Sequence, residues 1–177
     1  MTETIDKLLA LAEVEQHGWL QKRVPVAAEA LLREAEEAVA LAAQARGVSL
    51  RREPASALPP LAGDPFLLRR ALGNLLDNAL AFSPVGGMVR LSAARAGDRL
   101  VLAVEDDGPG LPDYAGERVF ERFYSLPRPD GAPRSSGLGL PFVREVARLH
   151  GGEAGLESRP GGGARAWLSL PFEPATR

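Results

Sequence analysis

The chain has 177 residues, of which 45% are hydrophobic and 25% are charged, and it carries a formal charge of -2. This length and composition fit one folded domain of about 100 to 150 residues with a short appendage, and they exclude wholesale disorder. The small negative charge argues against nucleic-acid binding and against a basic membrane-binding surface, while the absence of cysteine excludes disulfides and thiolate zinc sites.

Helical periodicity begins near the N-terminus, where apolar residues recur at Ile5, Leu8, Leu9 and Ala12. This spacing predicts an amphipathic helix over about the first fifteen residues, with no apolar run long enough for a membrane span or a signal peptide. A short strand is predicted over residues 23–26, and a second helix over residues 27–46 ends at Gly47. Residues 48–52 form the next candidate strand.

A proline-rich segment, residues 53–64, predicts a loop that leads into a third helix. This helix is predicted over residues 65–82, because Asp64 is a favourable N-cap and Pro65 suits the first helical position. The loop and the helix together end the first half of the chain.

The second half of the chain alternates strands with glycine-rich segments. Residues 88–94 and 100–106 predict the two strands of a hairpin. Residues 107–139 are rich in Gly, Pro, Asp and Ser, and a loop of this length is typical of a lid, a binding loop or a disordered segment. The last predicted elements are a helix over residues 141–150 and strands over residues 153–158 and 164–170.

Helices and strands that interleave in this way predict an α/β fold built as a two-layer α/β sandwich. The expected sheet is a single mixed, mostly antiparallel sheet with the helices on one face. The N-terminal helix is expected to project from this domain.

The third predicted helix carries a polar stripe beside its apolar one. The polar stripe contains Asn74, Asp77 and Asn78. Short polar side chains inside a helix work against helical propensity, so a functional role is one interpretation and an ordinary surface face is the other. In the functional interpretation, the carbonyl oxygen of Asn78 is a hard ligand that holds Mg²⁺ between nucleotide phosphates.

The segment VEDDGPGLP ends a predicted strand at Asp106 and then breaks into Gly108 and Gly110. A strand-end carboxylate followed by glycines suits a ligand, because the acid accepts from an amino group and the glycines allow close approach to the backbone. A plain Asp-Gly turn explains the same residues equally well.

The segment SSGLGL places Gly137 and Gly139 directly before a predicted helix. Free backbone N–H groups at a helix N-terminus form a phosphate cradle, although a flexible linker also explains Gly-x-Gly. The segment does not match the Walker pattern, because it lacks the Lys-Ser/Thr pair. It does not match the dinucleotide-binding fingerprint either, because the third glycine is missing.

Four segments occur in the order of the N, G1, F and G2 boxes of sensor histidine kinases: NLLDNALAFSP, DDGPGLP, VFERFY and SSGLGLPFVREVARLHGG. Over residues 60–171 the chain therefore resembles the catalytic and ATP-binding domain of two-component sensor histidine kinases. The wider superfamily includes gyrase, Hsp90 and MutL ATPases. The resemblance implies a Bergerat-type ATP-binding fold, ATP and Mg²⁺ as cofactors, and a place in a phosphorelay.

The resemblance also implies roles for individual residues. Asn74 and Asn78 are the expected catalytic residues, with Asn78 as the Mg²⁺ ligand and Asn74 beside the phosphates. Asp106 is expected to accept a hydrogen bond from the adenine amino group, in a pocket shaped by Gly108 and Gly110. The remaining expected nucleotide-binding residues are Phe82 beside the base and Arg122, Ser136, Gly137, Leu138, Gly139 and Leu140, with Arg128 and Arg134 as further candidates for phosphate contacts.

Three features depart from the family pattern. Ala81 stands where the family often has Lys or Arg, which removes one positive charge near the phosphates. Ala164 stands where a hydroxyl residue that supports adenine through water is common. No His-Glu-x-x-Thr-Pro phosphoacceptor box is present, and neither His17 nor His150 fits that role, since His150 follows a helix where a cationic imidazole suits the dipole.

The resemblance divides the chain into three parts. Residues 1–18 are expected to be the tail of a dimerisation and phosphotransfer helix, residues 19–173 the catalytic ATP-binding domain, and residues 174–177 a C-terminal tail. The implied partners are ATP, the dimerisation and histidine-phosphotransfer domain of the same protein, and the receiver domain of a response regulator. The implied location is cytoplasmic, as a soluble domain of a membrane-anchored parent protein.

The expected function is transfer of the γ-phosphoryl group of ATP to a histidine on a domain missing from this chain. One alternative is a conformational ATPase of the gyrase or Hsp90 kind, in which a Glu at the position of Asn74 activates water. Asn cannot act as a general base, so Asn74 favours transfer over hydrolysis. The other alternative is a nucleotide-binding regulatory module without turnover, against which the intact motif residues weigh.

Overall fold

Helices and strands alternate along the chain, for which the computed structural model describes residues 2–55 and 57–172. The helices are α1 (Thr2–Gln16), α2 (Ala28–Ala45), α3 (Pro65–Phe82) and α4 (Gly139–Leu149), with a short 3₁₀ helix at Gly116–Phe120. The strands are β1 (Val24–Val26), β2 (Ser49–Arg52), β3 (Leu61–Gly63), β4 (Met88–Ala96), β5 (Arg99–Glu105), β6 (Glu153–Ser158) and β7 (Ala164–Pro171). The expected tail at residues 174–177 lies outside the described residues.

The main sheet has five strands in the order β2-β4-β5-β7-β6. β2 pairs with β4 in parallel, and the remaining neighbours pair antiparallel. β4 and β5 form the predicted hairpin, with Ala96 opposite Arg99. The prediction of a two-layer α/β sandwich with a mixed, mostly antiparallel sheet and an N-terminal helix is confirmed.

A second sheet of two strands departs from the expected single sheet. β1 pairs antiparallel with β3, and Val26 lies opposite Leu61. β3 lies inside the segment for which the prolines predict a loop. The strand forms there because Leu61 is buried in the core and its partner strand comes from a distant part of the chain, which no local pattern reveals.

The helices α2, α3 and α4 pack on the main sheet, with α3 in contact with the other two. α3 presents Leu68, Leu72 and Leu75 to the core, each of them at most 1% exposed. Alternation along β7 buries Ala166 and Leu168 in the same core. A fully buried leucine contributes roughly 1.5–3 kcal/mol to hydrophobic stabilisation. Because these three leucines must face the core, their burial also determines which face of α3 is turned away from it.

The N-terminal helix α1 packs on the domain instead of projecting from it. Leu11 and Val14 are buried, α1 contacts α4, and Arg148 of α4 donates to the carbonyl oxygen of His17 at 3.0 Å. The helix carries two apolar stripes, and the stripe that packs on the domain contains Leu11 and Val14. It differs from the stripe that the helical spacing predicts. The predicted stripe lies largely on the exposed side, at Ile5, Leu8 and Leu9.

His150 is completely buried at the end of α4, and the expectation of a cationic imidazole there is wrong. Its Nδ1 lies 2.8 Å from the carbonyl oxygen of Val146, and the backbone N–H of Asp64 donates to its Nε2 at 3.1 Å. A ring that donates from Nδ1 and accepts at Nε2 is neutral. Burial lowers the pKa of His150 and outweighs the hydrogen bond to Val146, so the neutral ring is stable in this position.

This burial predicts a loss of stability in acid. The folded state resists protonation of His150, whereas the unfolded chain takes up the proton near the ordinary pKa of about 6.5. The contribution of His150 to the free energy of unfolding is therefore complete above that pKa and is lost as the pH falls below it. Urea unfolding at pH 7.5 and at pH 5.5 measures the loss, and His150→Gln should flatten the dependence on pH.

The matched control is His17→Gln, which replaces the other histidine of the chain. The side chain of His17 makes none of the hydrogen bonds found among the described residues, in which only its backbone takes part: the N–H donates to the carbonyl oxygen of Val14 and the carbonyl oxygen accepts from Arg148. The His17 variant should keep the pH dependence of the wild type. An equally steep dependence in the His150 variant would contradict the assignment.

Candidate functional site

A cavity of about 570 Å³ opens between α3, the N-terminal turns of α1 and the segment 121–138, which we name the lid. In the described part of the chain, four cationic and two anionic side chains line it, which gives the lining a net charge of +2 in a chain of charge -2. The cavity therefore favours an anionic ligand. The charged lining residues are Lys7, Arg46, Arg128 and Arg134, with Glu3 and Asp77.

The polar stripe of α3 faces this cavity, as Asn74, Asp77 and Asn78 all line it. The α3 core leucines point the other way, so the helical period turns the stripe outward. Desolvation raises the pKa of Asp77, while the nearby ammonium group of Lys7 lowers it. The Nδ2 of Asn74 donates to the carbonyl oxygen of Gly139 at 3.3 Å, which joins the stripe to the start of α4.

The lid closes back on itself at its two ends. The backbone N–H of Phe123 donates to the carbonyl oxygen of Gly137 at 3.0 Å. Gly137 has a φ of +75°, and a Cβ atom there would lie 2.5 Å from the carbonyl carbon of Phe123, so only glycine fits. Gly137 and Gly139 thereby bring the N-terminal end of α4 to the cavity, where backbone N–H groups favour an anion.

Asp106 follows the last residue of β5 and is only 7% exposed. Its Oδ1 accepts from the backbone N–H groups of Gly108 at 2.8 Å and Ala164 at 3.3 Å. Burial raises the pKa of Asp106, against the lowering effect of these two hydrogen bonds. Among the described residues no donor reaches Oδ2, which leaves that oxygen for a donor on a ligand.

Arg159, in the turn between β6 and β7, holds the end of β5 in place. Its Nη1 donates to the carbonyl oxygen of Asp106 at 2.8 Å, and its Nε pairs with Glu105 at 3.0 Å. The same Nη1 lies 3.3 Å from Oδ1 of Asp107. This clamp fixes the backbone from which the Asp106 carboxylate projects.

The glycines after Asp106 allow close packing against neighbouring backbone. A Cβ atom on Gly108 would lie 2.5 Å from the carbonyl oxygen of Phe82 at the end of α3. A Cβ atom on Gly110, which has a φ of +79°, would lie 3.0 Å from the carbonyl oxygen of Gly163. The Asp106 loop is thus packed between α3 and the β6–β7 turn.

The structure gathers most of the residues singled out from the sequence, in two adjoining groups. One group lines the cavity and the other, Asp106 with Gly108 and Gly110, lies beyond Phe82, whose carbonyl oxygen is next to Gly108. The cavity group comprises Asn74, Asn78, Phe82, Arg128, Arg134, Ser136, Gly137, Gly139 and Leu140.

Two expected residues, Leu138 and Arg122, belong to neither group. Leu138 is buried in the core, with 1% exposure, and its backbone carries the turn into α4. Arg122 forms an ion pair with Glu15 of α1, which directs its guanidinium group away from the cavity lining.

Sequence reasoning missed two cations of the cavity, Lys7 and Arg46. Lys7 lies on α1 and pairs with Glu3 at 3.0 Å, while Arg46 follows the end of α2. Neither belongs to a motif, and both reach the cavity only through the packing of distant helices. A local pattern carries no signal for such residues.

No group of three or more His, Cys, Asp or Glu side chains is arranged to hold a metal ion among the described residues. A magnesium ion needs only one or two protein oxygens when phosphate oxygens and water complete its shell. Asn78, beside Asp77 in a cavity suited to polyphosphate, fits that requirement.

In the part of the chain that the structure describes, each helix is too short or too polar to span a bilayer.

Residues 63–174 match the family described as histidine kinase-, DNA gyrase B-, and HSP90-like ATPase. Over 172 residues, which is 96% of this chain, the sequence is 44% identical to the sensor protein CreC of Escherichia coli. This chain spans about a third of the length of that relative, since the aligned part is 35% of CreC.

Solved structures are similar to this chain over most of its length. Full-length ShkA in complex with AMPPNP superposes with a TM-score of 0.84 at 31% identity, covering 99% of this chain and 36% of ShkA. The mycobacterial sensor histidine kinase MprB gives a TM-score of 0.72 at 30% identity and covers 86% of this chain and 99% of its own.

Proposed function

The chain belongs to the family of histidine kinase-, DNA gyrase B- and HSP90-like ATPases, and we propose that it transfers the γ-phosphoryl group of Mg·ATP to a histidine on a separate domain. Within that family it is an ATP-binding catalytic domain of the sensor histidine kinase kind. The observation that carries the proposal is the meeting of the α3 polar stripe with the start of α4 in one cavity of net positive charge. Phosphoryl transfer depends mainly on positioning and charge neutralisation, which such a cavity supplies.

The adenine site in this proposal is the Asp106 loop. The Oδ2 of Asp106 accepts from the exocyclic amino group, because Oδ1 is already held by Gly108 and Ala164. The absence of side chains at Gly108 and Gly110 lets the Asp106 loop pack against the backbone of Phe82 and Gly163, which holds the carboxylate in place for the base. Phe82 packs beside the base, and Arg159 keeps the carboxylate in register.

The phosphate site in this proposal is the cavity beneath the lid. Asn74 lies beside the phosphates, and the backbone of residues 136–140 presents N–H groups at the start of α4. Arg128 and Arg134 of the lid add positive charge. Arg122, paired with Glu15, would reach a phosphate only after that ion pair breaks.

Asn78 is the proposed magnesium ligand, through its carbonyl oxygen. When bound with ATP, a magnesium ion would supply positive charge against the phosphate groups. Asn78 would supply one oxygen ligand to that ion. It lies on α3, and the opposite face of this helix is buried in the core. Asn74, an amide, has no basic group with which to activate water, which favours transfer over hydrolysis.

The phosphoacceptor in this proposal comes from outside the described chain. His150 is buried and hydrogen-bonded on both ring nitrogens, so it cannot attack a phosphoryl group. We propose that residues 1–18 are the tail of the dimerisation and phosphotransfer helix and that residues 19–173 are the catalytic domain. The partners are then the histidine-phosphotransfer domain and the receiver domain of a response regulator, in a parent protein anchored in a membrane.

Asn78→Ala tests the magnesium assignment. The variant should lose about tenfold in ATP affinity in the presence of Mg²⁺, because it lacks one oxygen ligand to the ion. In EDTA the variant and the wild type should bind ATP equally. Calorimetric titration under both conditions measures the difference, and an equal loss in EDTA would contradict a metal-specific role.

Calorimetric titration of Mg·ATP, with ADP release followed in the same samples, tests the proposed function. We expect binding with negligible ADP release, and transfer of radiolabelled phosphate only when a separately produced histidine-phosphotransfer domain of a sensor kinase is added. Steady ADP release without that domain would favour a conformational ATPase. Binding without transfer or hydrolysis would indicate a regulatory module, and no binding would indicate a decayed pocket.

A further inference from the structure

Arg46 lies just after α2, far from every motif, yet its guanidinium group reaches the cavity. Its Nε donates to the carbonyl oxygen of Leu80 at 2.9 Å, and its Nη2 donates to that of Ala81 at 3.3 Å. The same Nη2 lies 3.2 Å from Oδ2 of Asp130 in the lid. Arg46 thus contacts the last turn of α3 and the lid at once.

The hydrogen bonds of Arg46 leave donors free. A guanidinium group has five N–H donors, and these contacts use only Nε and Nη2. Among the described residues, Nη1 of Arg46 meets no acceptor, although the group lines the cavity. A rigidly held guanidinium group with two free donors is suited to a phosphate or carboxylate ligand.

Arg46 also supplies positive charge at a place in the cavity where α3 supplies none. Ala81 follows Asn74 and Asn78 on the same stripe of α3 and supplies no charge there. The carbonyl groups at the C-terminal end of a helix carry partial negative charge, which repels an anion. Arg46 covers the Leu80 and Ala81 carbonyl oxygens and replaces that negative potential with a positive one.

Asp130 of the lid is the acidic partner of Arg46. Its carboxylate is held in the lid by the backbone N–H of Ala132, which donates to Oδ1 at 2.9 Å. Both side chains of the pair are partly open to solvent, at 31% for Arg46 and 46% for Asp130. An exposed pair of this kind contributes little stability, so a more highly charged ligand can replace the carboxylate.

We propose that Arg46 is a nucleotide-binding residue that donates to the phosphate groups of ATP, and that Asp130 competes with those phosphates for its guanidinium group. The proposal rests on the function proposed above and adds a cation from α2 to that site. Nucleotide binding then releases the lid from α2. Arg46 supplies the positive charge that α3 lacks at Ala81.

The test compares ligands with and without phosphates. Arg46→Ala should lower the affinity for Mg·ATP by about tenfold or more, the expected effect of losing a charge-assisted hydrogen bond. The affinity for adenosine should stay unchanged, since adenosine carries no phosphate. Arg46→Lys should recover part of the loss, because it restores the charge without the planar fork. Arg95→Ala, which removes the same charge outside the cavity, should bind ATP like the wild type.

The partner variant gives the decisive comparison. Asp130→Asn keeps an oxygen for the Ala132 N–H but removes the competing charge, so its ATP affinity should rise severalfold. If the Arg46–Asp130 pair only held the lid in place, Arg46→Ala and Asp130→Asn would both weaken ATP binding. That result would overturn the proposal. Equal losses of ATP and adenosine in Arg46→Ala would also overturn it, because they indicate a damaged fold.

This experiment separates the two proposals. If the wild type fails to bind Mg·ATP, the proposed function and the role of Arg46 both fall. If the wild type binds ATP and Arg46→Ala binds equally well, only the role of Arg46 is overturned. Thermal unfolding of each variant shows whether a changed affinity reflects a changed fold.

Discussion

Asp106→Asn is expected to lose about 10- to 150-fold in ATP affinity without a loss of folding, the range that follows from one hydrogen bond to a charged group. The amide oxygen of the new side chain keeps the bonds from Gly108 and Ala164, because those donors fix the position of Oδ1. The amide nitrogen then replaces Oδ2 and faces the adenine amino group. Two donors oppose each other, and calorimetric titration measures the loss.

The same variant should gain affinity for inosine triphosphate. This nucleotide carries an oxo group in place of the amino group, and that oxygen accepts from the amide nitrogen of the Asp106→Asn side chain. The preference between the two nucleotides is therefore expected to reverse, which a merely weakened fold would not produce. Equal affinity of the variant and the wild type for ATP would contradict the adenine assignment.

Gly163→Ala is expected to cost about 3 kcal/mol or more in the free energy of unfolding and to abolish measurable nucleotide binding. Gly163 has a φ of +89°, and a Cβ atom there would lie 2.0 Å from the carbonyl oxygen of Asp106. Both residues lie just beyond the paired ends of β5 and β7, where the backbone N–H of Asp106 donates to the carbonyl oxygen of Ala164 at 2.9 Å and that of Arg159 donates to the carbonyl oxygen of Gly163 at 2.9 Å. These hydrogen bonds hold the backbone on both sides, so neither side can move easily. The displacement falls on the residue that carries the proposed adenine contact.

Gly161→Ala is the matched control in the same turn. Gly161 has a φ of +87°, but nothing lies within 4 Å of a Cβ atom placed there. Its substitution should cost only the conformational strain, about 1–2 kcal/mol, and should leave ATP affinity intact. Urea unfolding and ATP titration of both variants give the comparison, and equal effects would show that the close approach to Asp106 is unimportant.

Local patterns predicted the elements that rest on near neighbours in sequence. The helical period and the Asp64 cap located α3, and the Asp64 side chain does accept from the backbone N–H groups of Phe66 and Leu67. Alternation and the Gly97-Asp98 turn located the β4–β5 hairpin. Each of these patterns involves residues that are close together in the sequence, so the pattern alone predicts the element.

The remaining features depend on contacts between distant parts of the chain. β3 forms only because β1 pairs with it, and the buried stripe of α1 is selected by α4 rather than by its own apolar content. His150 is neutral because it is buried beneath the start of α3. Arg46 reaches the cavity through the packing of α2 on α3. None of these partners lies within the window that a local pattern covers.

The hydrogen bond between Phe123 and Gly137 makes the lid a loop with its base already tied. The entropy of closing such a loop grows slowly with its length, by about 0.6 kcal/mol for each doubling. Residues inserted or removed between the tied ends therefore leave the spacing of those ends unchanged. The length and sequence of the lid can therefore change while the start of α4 keeps its place.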